Sequence, residues 1–540
     1  MTKTTTIMRQ IKISILAVVN LLVMGMTMSC SNYLEVDPTN AIRTSTFYTT
    51  ESQVNDALNG LYGSLKPMSK YVFCMSEMRS DNVWITADVK QNDYVDICTF
   101  NSSGLPTDNT IKTCWSDYYA TISAANTLLD HIDDVTFSKE SVKLQYKAEA
   151  RFIRGMAYFD LVRFFGNIPL ADHALTPDEA FAIGQSPAED IYTTMIVPDL
   201  TFAVENLAET AVDFLGSTRT ERATKVAAQA LLGKVYLTMA GFPLYQTDKK
   251  ALATSLFKQV IDYAEENDKF WAEDIDEWNN MWIHENDNKY FIFEVQYIAE
   301  KDEGNPMVTL SAPQNPGTDW CASNLMTGTH IYIERGLQNH YIERDKTTND
   351  YIDLRVGGTM NIRTSTGEDN ESYTPTGNTF YVKFFENKLK RAALGYSDID
   401  AQIVDRTYWP QNFPIIRLED IMLLYAECVG ATTEGYRMLN KIRTRAGLSR
   451  LSGLSEADFQ TAVDNERRYE LAEEGQRWHD LVRHNTYVET LKAMFINDDT
   501  TVDGTYKAFA TRVNEHMYLY PIPQSQLEVR KGLYTQNKGY

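Results

Sequence analysis

Acidic and basic side chains are concentrated in one stretch near the carboxyl terminus, residues 466–483. Its side chains that could transfer a proton include Glu470, Glu473, Glu474, His479 and Asp480. Glu473 precedes Arg477 by four residues and Arg467 precedes Glu470 by three, which is the spacing of ion pairs along a helix. We therefore expect these charges to join this helix to its neighbours. The buried stripe of the same helix consists of Leu471, Trp478, Leu481 and Val482.

No motif selects a catalytic group. Glycoside hydrolysis needs two carboxylates about 5–10 Å apart, and 73 acidic residues contain many pairs without singling one out. The sequence has no GxSxG elbow, P-loop or GxGxxG motif, so we predict no catalytic residue and no enzyme activity. His479 and His484 are five residues apart and do not share a helical face. With no CxxC or HExxH motif either, the sequence predicts no metal site and no cofactor, with a structural calcium ion left open.

Composition further narrows the classes of protein to which the chain could belong. The chain has 540 residues, 43% apolar and 11% aromatic, enough for one large or two modest domains. Lysine and arginine number 51 against 73 acidic residues, for a net charge of -22. A surface this acidic repels the phosphates of nucleic acids, so nucleic-acid binding is excluded.

The amino terminus has the pattern of an export signal. Three basic residues precede an apolar run over residues 13–24, which is too short for a comfortable membrane span. Ser29-Cys30 then resembles a bacterial lipoprotein box, although Thr27 stands where leucine is usual. We expect residues 1–29 to be removed and Cys30 to be lipidated; the alternative is ordinary cleavage that leaves a free thiol. Removal takes the net charge from -22 to -25.

Five cysteines remain after Cys30, an odd number for an oxidising compartment. Cys428 falls in the apolar pattern of a helix and is predicted to be a buried thiol. We predict no disulfide framework, with a single pair among Cys74, Cys98 and Cys114 left open.

Helical periodicity dominates the chain outside residues 271–410. Apolar residues recur at three- and four-residue spacing over residues 147–163 and 221–240, and again from Leu418 to Cys428. After Gly430 a shorter helix is predicted over residues 436–446. Such helix–turn–helix units are the size used in helical repeats.

Residues 271–410 have a different sequence pattern from the rest of the chain. Short β-like runs at residues 290–297 and 380–385 are separated by turn-rich stretches at residues 304–306, 313–317 and 364–377. We interpret this region as a long irregular insertion on a helical scaffold, where function commonly lies. No linker composition separates two independent domains.

Five groups of motifs follow one another along the chain. They are Asn32-Tyr33-Leu34-Glu35, Trp115-Ser116-Asp117-Tyr118-Tyr119, Glu149-Ala150-Arg151-Phe152, Ile416-Arg417-Leu418-Glu419-Asp420, and Glu466-Arg467-Arg468-Tyr469-Glu470 continued by Gly475-Gln476-Arg477-Trp478. Together they resemble the SusD/RagB family, the outer-membrane nutrient-binding lipoproteins of Bacteroidetes. Glu473 and His479 depart from the family pattern, which usually has aromatic residues there, and indicate local repacking.

The resemblance implies a mostly α fold: a SusD-like helical scaffold with tetratricopeptide-like helix pairs and a loop-rich insertion with short strands. It divides the chain into a signal peptide at 1–29, scaffold parts at 30–270 and 411–540, and a variable ligand-binding insertion at 271–410, packed as one unit. It also implies a surface-exposed, lipid-anchored position on the outer membrane. The implied function is capture of oligosaccharide or polysaccharide, without catalysis, and its delivery to a SusC-like TonB-dependent β-barrel.

Sugar binding requires flat aromatic faces and planar polar groups, and aromatic residues in loops are the best candidates. Arg79, Asp81 and Asn82 lie beside Trp84, and Trp320 lies in a loop of the insertion. Trp282 is a further candidate, although its four-residue spacing from Trp278 is also that of a helical stripe. Trp115 and Trp478 are expected in the core.

Two alternatives remain open from the sequence. A helical-repeat lipoprotein could bind peptide or protein instead of glycan. A secreted glycosidase is the third hypothesis.

Overall fold

Helices form most of this computed structural model, which describes residues 47–85, 94–212, 215–283, 289–311, 331–360, 379–384, 409–497 and 505–540. In the amino-terminal half the helices are α1 Glu51–Gly63, α2 Met68–Met75, α3 Val95–Cys98, α4 Asn109–His131, α5 Glu140–Phe165, α6 Pro177–Ala182, α7 Ala188–Ile191, α8 Val197–Asn206, α9 Lys225–Ala240 and α10 Lys249–Asn267. The later helices are α11 Ile275–Asn280, α12 Val308–Ser311, α13 Arg335–Tyr341, α14 Val356–Thr359, α15 Leu418–Val429, α16 Thr433–Arg445, α17 Glu456–Glu470, α18 Arg477–Arg483, α19 Tyr487–Asn497, α20 Thr505–Ala510 and α21 Gln524–Val529.

The long helices pack in series. Helix α4 packs on α5, α5 on α8, α8 on α9, and α9 on α10. The series continues across the insertion, because α10 packs on α15 and α15 on α16. Residues 49–540 form one compact unit, while the predicted division at residues 270 and 410 stays a prediction.

The predicted helices are confirmed, with ends set by capping residues. Helix α5 extends the predicted 147–163 in both directions and ends before Gly166. Helix α9 begins at Lys225, four residues later than the predicted 221, because the Thr224 side chain accepts a hydrogen bond from the Ala227 amide. In α16, Thr432 caps the first turn in the same way.

Three two-stranded antiparallel sheets accompany the helices. They pair β1 Val83–Ile85 with β5 Ile331–Ile333, β2 Ile168–Pro169 with β3 Gln185–Ser186, and β4 Phe291–Val295 with β6 Phe413–Arg417. The β4–β6 pair brings the two ends of the insertion together. The predicted strand at 380–385 is wrong for the described residues 379–384, which form only an isolated bridge from Tyr381 to Met360. The predicted loops at 313–317 and 364–377 lie outside the described residues.

The cysteines that the structure describes form no disulfide with one another. Cys98 and Cys114 are buried free thiols, and Cys74 is also buried. Burial raises the pKa of the Cys98 thiol to about 12. Cys428 is also free but only partly buried, and burial raises its pKa to about 11. No helix within the described ranges is both long and apolar enough to cross a membrane.

Gly475 combines a left-handed backbone conformation with close packing against Val72. Its φ is +69°, and a Cβ there would lie 2.3 Å from Val72 Cγ1 and 2.7 Å from the Val72 carbonyl oxygen. Gly453 has nearly the same φ, +67°, but no atom lies within 4 Å of the position that its Cβ would take. The two glycines therefore separate backbone strain from steric overlap.

We expect Gly453→Ala to lower the free energy of unfolding by about 1–2 kcal/mol, the cost of a left-handed backbone. Gly475→Ala should cost a further 1–3 kcal/mol or so, because the added methyl overpacks against Val72. Urea unfolding of both variants measures the difference. Equal losses would contradict the close packing of Gly475 on α2.

Candidate ligand-binding face

A small platform is formed by β1, β5 and residues 379–381. In the β1–β5 pair, Trp84 lies opposite Tyr332 and Ile85 opposite Ile331. The Ile333 amide donates to the Thr379 carbonyl at 2.8 Å, which adds the third segment. The Tyr381 hydroxyl donates to the Asn82 carbonyl at 2.8 Å and ties that segment to the residue before β1.

Four stretches outside the described residues join the chain at this platform. Residues 86–93 follow Ile85, residues 312–330 precede Ile331, and residues 361–378 precede Thr379. Residues 498–504 lead into α20, whose Tyr506 hydroxyl donates to the Ile85 carbonyl at 2.9 Å. A rigid base from which several connecting segments depart is a common arrangement for a binding site.

Trp84 belongs to the platform itself, and the expectation that it lies in a loop is wrong. The side chain is 2% exposed in strand β1. Its ring lies 4.1 Å from the Tyr506 ring, and the Arg335 guanidinium lies 5.7 Å from its centroid. Trp84 is therefore a buried part of the platform, covered by Tyr506 of α20.

Arg79 is fully buried in an aromatic cage. Its guanidinium carbon lies 4.5 Å from the Phe100 ring centroid, 5.2 Å from that of Trp478 and 4.3 Å from that of Tyr520. Its Nη2 donates to the Met517 carbonyl at 2.9 Å. Cation–π contacts of this kind stabilise a buried guanidinium, so Arg79 joins the platform to the carboxyl-terminal segment.

Asp81 and Asn82 are held by arginines from α17 and α18. Asp81 accepts from Arg477 Nε at 2.7 Å, and its carboxylate lies 3.3 Å from Arg468 Nε. Burial alone would raise the pKa of Asp81, but these two guanidinium groups outweigh it and lower the pKa to about 2. Asn82 donates to Glu77 at 2.8 Å and accepts from Arg468 at 3.0 Å.

Trp282 lies in a separate cluster. Its ring contacts Trp278 and Phe384, each 5.5 Å away between centroids. Lys383 Nζ lies 4.7 Å from its centroid. The structure therefore brings Arg79, Asp81, Asn82 and Trp84 together and places Trp282 elsewhere.

All five of these candidate side chains are at most 4% exposed. Their predicted contact with a ligand therefore rests on sequence alone. Trp320 and Cys30 lie outside the described residues. The expected core tryptophans, Trp115 and Trp478, are confirmed as buried.

The acidic and basic residues of 466–483 do join neighbouring elements, but not through the predicted pairs. Arg467 pairs with Asp420 and Asp480 at 2.8 Å instead of with Glu470. Arg477 pairs with Asp81 and with Asp464. Glu473 lies beyond the end of α17 with a φ of +72°, so helical spacing does not relate it to Arg477.

Glu470 is the centre of a large charged cluster. Its carboxylate accepts from Trp278 Nε1 at 2.7 Å, Arg355 Nη1 at 3.0 Å, Arg445 Nη2 at 2.9 Å and Arg417 Nη1 at 3.2 Å. Burial alone would raise its pKa, but Arg445, Arg417 and Arg355 lower it to about 2. The carboxylate therefore stays ionised in the interior.

Two family models match different parts of the chain. The model described as "SusD family" matches residues 339–540, and the model described as "Starch-binding associating with outer membrane" matches residues 32–237. The chain belongs to the SusD/RagB family.

Relatives of similar length accompany this SusD/RagB protein. It is 25% identical to the SusD-like protein P25 of Formosa agariphila, over 95% of this chain and 97% of that one. A SusD homologue from Bacteroides thetaiotaomicron has a TM-score of 0.72 at 22% identity, covering 92% of this chain and 98% of that one. Surface glycan-binding protein A from Bacteroides fluxus has a TM-score of 0.69 at 22% identity, covering 91% and 100%. The predicted mostly α, SusD-like fold is confirmed.

Of the two departures from the family pattern in this SusD/RagB chain, Glu473 is buried and His479 is partly buried. Burial raises the pKa of Glu473 to about 8, and its backbone amide donates to Glu77 at 2.8 Å. Burial, together with Arg163 and Lys234, lowers the pKa of His479 well below its usual value. Among the described residues, no group of three or more His, Cys, Asp or Glu side chains is arranged to hold a metal ion.

Glu470→Gln tests the charged cluster. We expect a loss of about 3–5 kcal/mol in the free energy of unfolding, because three buried guanidinium groups lose their shared counter-charge. Glu434→Gln is the control: its half-exposed carboxylate pairs with Arg437, and such a pair contributes under about 1 kcal/mol. Urea denaturation compares the two, and similar small losses would contradict a central role for Glu470.

Glu473 predicts a pH dependence of stability. Because its folded-state pKa lies above the ordinary value of a glutamate, the folded chain binds this proton more tightly than the unfolded chain. The wild-type free energy of unfolding should therefore fall as pH rises from 5 towards 8, by up to about 1.4 kcal/mol per pH unit from this group.

Glu473→Gln removes that proton and should flatten the slope relative to the wild type. The exposed substitution Glu266→Gln should keep the wild-type slope. Denaturation curves collected across this pH range give the comparison. Parallel curves for the wild type and Glu473→Gln would show that Glu473 is not protonated in the folded state.

Proposed function

We propose that this chain is a surface-exposed lipoprotein of the outer membrane that captures an oligosaccharide or polysaccharide and delivers it to a SusC-like TonB-dependent transporter. It acts by binding, without catalysis. The observation that carries the proposal is the match of both chain halves to the SusD models, one of them described as starch-binding and associating with the outer membrane. The structurally similar surface glycan-binding protein A supports the ligand class.

The platform provides a physical basis for ligand capture. The segment with Trp320 enters it at Ile331, beside the point where residues 86–93 leave it at Ile85. We propose that Trp320 contacts the sugar directly. The platform is supported by the buried side chains of Arg79, Asp81, Asn82 and Trp84, and Trp282 supports the insertion near β4.

The anchor and the partner complete the proposal. Lipid on Cys30 would hold the chain at the membrane after residues 1–29 are removed. A membrane anchor and a nearby barrel raise the local concentration of captured glycan at the entry to the transporter.

Trp320→Ala tests the glycan site. We expect affinity for the retained glycan to fall by about 1–3 kcal/mol if the indole stacks on a sugar ring. The chain from residue 31 is first run in affinity electrophoresis against plant, microbial and host polysaccharides, starch included. The polysaccharide that retards the chain most is the retained glycan, and calorimetry then measures the affinity of the chain for it. Phe181→Ala, which removes an aromatic side chain 51% exposed on α6, is the control and should bind like the wild type.

Unchanged affinity in Trp320→Ala would contradict the site and leave glycan capture standing. No retardation by any polysaccharide, together with binding of peptides, would favour the peptide-binding alternative. Sugar release from a bound glycan would favour a glycosidase. Delivery is tested by isolating the native complex from outer membranes after growth on the retained glycan, and absence of a TonB-dependent barrel from that complex would contradict it.

A further inference from the structure

A second concave site lies on the helical scaffold. It is a cavity of about 430 Å³, a size that suits a small ligand. None of the platform residues lines it. The lining comes from the end of α5, the segment entering α7, the end of α9, helix α18 and the carboxyl-terminal segment, at residues 162–167, 187–192, 238–244, 479–483, 518–519 and 537–538.

One wall of this scaffold cavity is aromatic. Phe242 and Tyr518 meet edge to face with 4.9 Å between ring centroids, and Tyr192 lines the same space. The Phe242 amide donates to the Arg483 carbonyl at 2.9 Å, which fixes the wall to α18. Aromatic and apolar surface of this kind can pack against the C–H face of a sugar ring.

Hydrogen-bond donors without a partner are grouped around the cavity. Within the described part of the chain, the hydroxyls of Tyr192 and Tyr518 have no hydrogen-bond partner, and the ammonium group of Lys538 has no ion pair. The buried Nε of Arg163 has no acceptor. Asn167 uses its oxygen to accept from the Ala188 amide at 3.0 Å, which leaves its NH₂ group available.

Hydrogen-bond acceptors around the cavity are fewer than donors. One oxygen of Glu189 accepts from Gln246 at 2.8 Å, so the other remains available. His479 is neutral and therefore offers one donor and one acceptor. Arg483 also lines the cavity, but Glu427 and Asp480 already pair with it.

We propose that this cavity binds a sugar unit that carries a carboxylate, at the end of a short oligosaccharide. The aromatic wall takes the C–H face of the ring, and the surplus of donors takes its oxygens. Lys538 supplies the positive charge for the carboxylate, because Arg163 and Arg483 are paired with acidic residues of the chain. The inference rests on the proposed glycan-binding function and adds a second site with a defined sugar class.

Cellobiouronate and cellobiose are matched probes, because they differ only in a carboxylate that replaces one hydroxymethyl group. We expect the whole mature chain to bind cellobiouronate at least about fivefold more tightly than cellobiose in calorimetry, as one charge-assisted hydrogen bond to an exposed lysine allows. Lys538→Met should remove that preference. Tyr518→Phe should weaken both probes by about threefold, because it removes one neutral hydrogen bond.

Lys531→Met, at an exposed lysine outside the cavity lining, is the control and should keep the preference. Equal binding of the two probes, no binding of either at millimolar concentration, or an unchanged preference in Lys538→Met would overturn the inference.

The two sites are separated by affinity electrophoresis of these variants, and of Trp320→Ala, on the retained polysaccharide. Loss of retardation in Trp320→Ala, with the cellobiouronate preference intact, is the expected pattern. A chain that no polysaccharide retards, but that prefers cellobiouronate through Lys538, would contradict polysaccharide capture at the platform and support the cavity.

Discussion

The carboxylate of Glu470 joins the insertion to the helical scaffold. It accepts from Trp278 and Arg355 on one side and from Arg417 and Arg445 on the other. A buried charge is stable only when all its partners are in place, so every element that contributes a donor is held in one position. Apolar packing alone could tolerate small slips between these elements, whereas directional hydrogen bonds to one carboxylate cannot. These buried charges thus fix the relative positions of the elements, although removing the charges from water is unfavourable.

The platform depends on a second set of buried ion pairs. Arg468 and Arg477 leave α17 and α18 to hold Asp81, two residues before β1. Because these contacts are made below the platform by the backbone and side chains of the scaffold, the segments that depart from it can change in length and sequence without disturbing the frame. This separation allows chains of about 22% sequence identity to share the fold.

Sequence patterns predicted the features that depend on neighbours along the chain. Helix α5 was predictable because its apolar residues repeat with the helical period. The partners of Arg467 were not, because Asp420 and Asp480 come from other elements, and helical spacing relates only residues of one helix. Trp84 was misplaced for the same reason: the Tyr506 ring that covers it comes from the far end of the chain. The scaffold cavity had no local signal at all, since its walls come from distant segments.

Helix α18 lies between the two proposed sites. Trp478 packs in the same buried cluster as Trp84, whereas the next residue, His479, lines the scaffold cavity. Arg477, at the start of this helix, holds Asp81. A shift of α18 large enough to reshape either site would have to break buried ion pairs, each of which is costly to open. The platform and the scaffold cavity are therefore expected to be preformed on one rigid frame.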